Sequence, residues 1–161
     1  MSYDLMVFEP EAAPLDQEEF LDWYEQVTSW TEGHDYNDPR YTTPALQGWY
    51  REMIETFPPL NGPDAVAVDD PRFDEAYLTD YSCASNAIYL SFAWSVQEEA
   101  YRQVLMCAAK HKVGFFDVSA SSNGAVWRPT LDGYEVAHGG SPNDQNLVKE
   151  IAACFKSQRQ Q

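Results

Sequence analysis

The chain opens on Tyr3 to Phe8, an apolar and aromatic run with one acid, short enough to form a buried first strand before Glu9 to Pro14 breaks it. A helix is predicted next. Asp16 stands at an N-cap position with Glu19 three residues on, and Phe20, Trp23, Tyr24 and Val27 recur at i, i+3, i+4 and i+7, a pattern that extends to Trp30. After a polar loop over Gly33 to Arg40, Thr43 caps and Pro44 opens a second helix whose stripe is Leu46, Trp49, Tyr50, Met53 and Phe57. Pro58, Pro59, Asn61, Gly62 and Pro63 end it.

The period then shortens. Asp64 to Val68 reads as a short strand and Asp69 to Glu75 as an acidic loop, while Ala76 to Ser82 and Ala87 to Trp94 read as the two strands of a hairpin. Ser95 and Glu98 make a capping box for a third helix with Tyr101, Val104, Leu105 and Ala108 on one face, closed by Lys110, His111 and Lys112. Gly114 to Ser119 is the next strand, and a strand, helix, strand unit of this length favours a right-handed parallel crossover. Asn123-Gly124 signals a tight turn into Ala125 to Arg128, and Asp132-Gly133 a turn into Tyr134 to Ala137. Ser141 and Pro142 start a last helix with Leu147, Val148, Ile151, Cys154 and Phe155 inward, ending in a frayed polar tail. This order predicts one domain over residues 1–161, an α+β fold with helices packed on a mostly antiparallel sheet, and a ferredoxin-like core as its leading form.

Charge adds what periodicity does not. The 161 residues hold 26 acids against 10 Lys and Arg, a net charge of −16, against roughly 2 to 8 in magnitude for a small domain. Residues 1–80 carry 19 acids and only Arg40, Arg51 and Arg72 as bases, whereas residues 81–161 carry seven of each, so the whole excess lies in the first half. Binding to nucleic-acid phosphates or an anionic membrane is disfavoured, because no basic patch offsets the repulsion. The acids either serve solubility or form a negative face for a cationic partner.

The aromatic residues favour the second use. Trp30, Tyr36, Tyr41, Phe73, Tyr77 and Tyr81 stand in or beside acidic or irregular segments, where amphipathic rings anchor interfaces. The expected contact set for a basic protein is Asp64, Asp69, Asp70, Phe73, Asp74, Glu75, Tyr77, Asp80 and Tyr81, carboxylates steering encounter and rings supplying affinity. The aromatic surplus also suits a homo-oligomer.

Catalytic signatures are sparse. His34, His111 and His138 are isolated, and Cys83, Cys107 and Cys154 are odd in number and widely spaced, so no metal site, disulfide framework or cofactor is expected. No nucleophile elbow or phosphate-cradling glycine loop occurs, and Cys107 reads as core. Asp80 and Asp117 lie in apolar or aromatic strands, which leaves an enzyme or small-molecule binder with a pocket between helices and sheet, involving Asp80, Trp94 and Asp117, as the alternative. The start lacks a basic, apolar leader and no run is long enough to span a membrane, so a cytoplasmic setting is the expectation.

Several segments carry a resemblance. Ser2 to Phe8, Phe57-Pro58-Pro59-Leu60-Asn61-Gly62-Pro63, Thr79-Asp80-Tyr81-Ser82, Phe92-Ala93-Trp94-Ser95 and Val113 to Ser119 together resemble a family of small, acidic, uncharacterised bacterial proteins, over most of residues 2–119. That family brings no catalytic residues to assign. By analogy of type it implies an immunity protein that neutralises a bacterial polymorphic toxin, with a basic toxin domain as partner.

Overall fold

The computed structural model describes residues 1–120 and 124–159. Its central strand is β1 (Tyr3–Phe8), with Leu5, Met6, Val7 and Phe8 all fully buried. Alternation sends Tyr3, Leu5 and Val7 into one core and Met6 and Phe8 into another, so β1 is apolar on both faces except at Asp4, which is half-buried and accepts the Tyr89 hydroxyl at 2.6 Å. α1 (Gln17–Val27) begins as predicted, Asp16 accepting the Glu19 amide at 3.0 Å, and seats Phe20 against Phe8 and Phe116 on the second face. It stops at Val27, short of Trp30, which takes a left-handed backbone with φ of 56°. α2 (Pro44–Thr56) begins at the predicted Thr43 cap and buries Leu46, Trp49, Tyr50 and Met53 on the first face.

β2 (Asp80–Cys83) and β3 (Ala87–Phe92) form the expected antiparallel hairpin. α3 (Gln97–His111) then leads to β4 (Gly114–Phe116), followed by β5 (Val126–Pro129), β6 (Tyr134–His138) and α4 (Pro142–Arg159). The six strands lie in the order β2-β3-β1-β4-β5-β6, every neighbouring pair antiparallel. β3 and β4 both oppose β1 and are therefore parallel to each other, with β1 between them. The first four strands with their crossovers make the split β-α-β arrangement of a ferredoxin-like core, and β5 and β6 extend its edge. α2, α3 and α4 cover one face and α1 the other. No helix among the described residues is long and apolar enough to cross a membrane.

Four local readings are corrected. Asp64 to Val68 forms no strand: the adjacent edge is taken by Pro58 to Leu60, which bridges Thr79, and at the other end by Tyr36, whose carbonyl accepts the Cys83 amide. The predicted strand at Ala76 starts only at Asp80, because Asp74 accepts the Ala76 amide and caps a 3-10 turn over Glu75–Tyr77. Ser95 is not the α3 cap. A 3-10 turn over Trp94–Val96 leads in instead, burying Val96 and leaving Ser95 exposed. Cys154 faces solvent on α4 while Ile151 is buried. The Asn123 turn lies outside the described residues.

Arg128 of β5 fastens the α1 side. Only 8 % exposed, its guanidinium donates to the carbonyls of Pro10 (3.2 Å), Ala13 (3.3 Å) and Pro14, and lies over the Phe8 and Phe20 rings at 5.4 and 5.9 Å.

Candidate functional site

The residues expected to form the contact set do not share one role. Asp64, Asp69, Asp74 and Glu75 are exposed along the connection from α2 to β2. Asp64 accepts the Tyr50 hydroxyl at 3.1 Å. Asp70 is gripped by its neighbour: the Arg72 guanidinium donates at 3.1 and 2.9 Å and, with the Arg72 amide, holds the Asp70 carboxyl down to about 2. Phe73 is half-buried, and Tyr77 spends its hydroxyl on Glu99 at 2.6 Å. Tyr81 is turned into the core, 4 % exposed, its hydroxyl donating to the Phe57 carbonyl at 2.8 Å. Asp80, one position earlier on the same strand, faces the opposite side, beside Ser91 and in line with Asp4.

The rings missing from that segment are supplied by the loop from α1 to α2. His34 stacks on Tyr41, centroids 4.6 Å apart and planes 18° off parallel, and also meets Tyr36 at 4.6 Å. Trp30 meets Tyr36 edge-on at 5.0 Å and Tyr89 at 6.0 Å. Trp30 and Tyr41 remain 36 % and 49 % exposed. The loop is fastened to the β2–β3 turn at three points. His34 Nε2 donates to the Cys83 carbonyl at 2.9 Å, the Cys83 amide donates to the Tyr36 carbonyl at 2.7 Å, and Glu32 accepts the Ser85 amide at 2.9 Å. Rings held this way lose little further freedom on docking.

The two segments meet. Gly62, with φ of +92°, lies so close to Asn37 that a Cβ there would fall 2.5 Å from its carbonyl oxygen. Between them opens a cleft of about 690 Å³ lined by Asp35, Asp38, Arg40, Tyr50, Arg51 and Asp64. Arg40 forks onto Asp38 (2.6 Å at the closest) and Arg72 onto Asp70, so both arginines are engaged within their own loops. Asp35, Asp64, Asp69, Asp74 and Glu75 have no basic partner among the described residues. Asp35, Asp38 and Asp64 thus share one cleft beside the loop that carries the exposed rings.

Asp80 and Asp117 share no cavity. Asp80 lies on the α1 side, whereas Asp117 lines a separate cleft of about 640 Å³ on the α3 and α4 side with Tyr3, Tyr101 and Asp144. Trp94 packs on Tyr3 at 5.2 Å and is half exposed. Burial pushes the Cys83 thiol up to about 12 and the Cys107 thiol up as well, so neither is an activated nucleophile. No group of three His, Cys or carboxylate side chains that could hold a metal occurs among the described residues. Sequence reasoning marked Trp30, Tyr36 and Tyr41 individually but missed Glu32, His34, Asp35 and Asp38 around them. Asp144 carried a readable signal, standing three residues after Ser141 at a helix start. No family model, curated protein or solved structure matches the chain.

Proposed function

We propose that this protein is a cytoplasmic binding protein that inhibits a basic protein partner, in the manner of an immunity protein covering a toxin domain. One observation carries the reading: the exposed Trp30 and Tyr41 rings, braced by His34 and Tyr36, stand in the same loop as Asp35 and Asp38, which share a cleft with Asp64, within the half of the chain that holds the whole −16 charge. The division of labour follows from physics. Unpaired carboxylates accelerate encounter with a cationic surface, and braced rings, once desolvated, hold the complex. Asp38 and Asp70 are neutralised locally, so Asp35, Asp64, Asp69, Asp74 and Glu75 carry the steering.

The test is capture from a lysate of the native host at low and high salt, using wild type and a Trp30→Ala/Tyr41→Ala variant as bait. The reading expects one stoichiometric basic protein, retained by wild type, lost with the variant and captured more slowly at high salt. Retention of that protein equally by both baits refutes the ring surface. Retention of no protein while the toxin is demonstrably expressed refutes the inhibitor reading.

A further inference from the structure

The second cleft lies away from the acidic-ring surface and is built from four elements. Tyr3 comes from the start of β1, Gln97, Glu98 and Tyr101 from α3, Asp117 from the turn after β4, and Ser141 and Asp144 from the start of α4. Its volume of about 640 Å³ falls within the range of small-molecule sites. Asp144 is buried and fully engaged. Its Oδ1 accepts the Tyr101 hydroxyl at 2.6 Å, and its Oδ2 accepts the Ser141 amide and hydroxyl at 2.7 and 3.2 Å.

Two groups are left unfinished. Tyr3 is buried to 3 % exposure, with its hydroxyl opening on the cleft, in the field of both Asp117 and Asp144, and bonded to none of the described residues. Asp117 accepts only the Ala120 amide, at 3.3 Å on Oδ1, so its second oxygen has no partner among the described residues. Burial first, and the charge of Asp144 after it, push the Asp117 carboxyl up to about 6. No cation among the described residues relieves this. Among the described residues Arg102 is the one basic side chain lining the cleft and is forked onto Glu150, and the remaining charged lining group, Glu98, is acidic.

The missing complement is therefore positive and small. An anion would meet three carboxylates, and a metal would need a convergent set of ligands that the described residues do not provide. The walls are partly apolar, from Leu147, Ala125 and the Tyr3 and Tyr101 rings. We propose that this cleft binds a small primary alkylamine, its ammonium donating to Asp117 Oδ2 and Tyr3 Oη and its carbon chain lying against Leu147 and Ala125. An ammonium supplies the donors these two oxygens lack and neutralises the carboxylate pair.

The test is an NMR titration of the full chain at neutral pH with n-butylammonium, using n-butanol and butyrate as uncharged and anionic counterparts. Expected are saturable shifts confined to Tyr3, Tyr101, Asp117 and Asp144, at millimolar concentrations or below, for the amine alone. Affinity should drop about tenfold in Asp117→Asn and several-fold in Tyr3→Phe. The Asp117 carboxyl carbon should titrate at lower pH when the amine is bound. Equal binding of butanol, shifts spread over the whole acidic surface, no saturation, or unchanged affinity in both variants each overturn the proposal. Should Asp117→Asn fail to fold, the probe series on wild type and Tyr3→Phe decide it.

Discussion

Replacing Arg128 by alanine tests how the α1 face is held to the sheet. The guanidinium ties Pro10, Ala13 and Pro14 to β5 and covers two buried rings, with no carboxylate among its partners. Ala13 is buried, so its carbonyl finds no water once the donor is gone, and that bond counts at about 2 kcal/mol. Pro10 and Pro14 are half-buried and can recruit water, which reduces their loss to about 0.5 kcal/mol each. The ring contacts add about 1 kcal/mol. Release of a buried cation gives back about 1 kcal/mol, leaving a destabilisation of about 3 kcal/mol. Urea unfolding at pH 7 measures it, an unchanged m-value showing that the transition is comparable. Arg128→Met keeps the stem over Phe8 and Phe20 and should lose about 2 kcal/mol. A loss below about 0.5 kcal/mol for alanine, or a methionine variant more stable than wild type, would show that the buried charge is a net cost and refute the reasoning.

Three further outcomes are expected. In Gly114→Ala the new Cβ meets Phe8 Cζ at 2.2 Å, and that ring is fully buried, so unfolding experiments should show a loss of about 1–3 kcal/mol, partly recovered by adding Phe8→Leu. Thr43→Ala removes both the acceptor for the Leu46 amide and a hydroxyl bonded to Glu9, costing about 1 kcal/mol, while Thr43→Ser stays near wild type. The Asp117 carboxyl, raised from 3.8 to about 6, takes up its proton more readily in the folded chain. Its contribution is therefore complete below about pH 4 and lost as pH rises to 6, and Asp117→Asn should flatten that part of the stability profile; an identical profile in the variant contradicts the assignment.

Local signals in the sequence survive folding where the interaction they announce is itself local. Asp16 with Glu19 and Thr43 with Pro44 cap their helices because donor and acceptor lie within one turn. The burial of Tyr3 to Phe8 is legible because a strand covered on both faces carries apolar residues in both alternating sets, here broken only by the half-buried Asp4. The hairpin of β2 and β3 was legible, its parity was not. Asp80 and Tyr81 were expected on one contact surface, yet neighbours on a strand point to opposite faces. The alternation of Asp64 to Val68 failed for want of a neighbouring strand to pair with, which no local pattern reports. Convergence of Trp30, His34, Tyr36 and Tyr41 depends on bonds from Glu32, His34 and Tyr36 to residues near 83–85, some fifty positions away. The Tyr3 and Asp117 cleft likewise needs α4 laid across the first and last turns of other elements.

The most direct test of the docking account is association kinetics with the captured basic protein as a function of ionic strength. Wild type, an Asp64→Lys/Asp69→Lys/Asp74→Lys variant and Trp30→Ala would be compared. The account predicts that the wild-type on-rate falls steeply with salt, that charge reversal slows it and flattens the slope, and that Trp30→Ala leaves the on-rate near wild type while accelerating dissociation. An on-rate indifferent to both salt and charge reversal, together with an unchanged off-rate in Trp30→Ala, would contradict it.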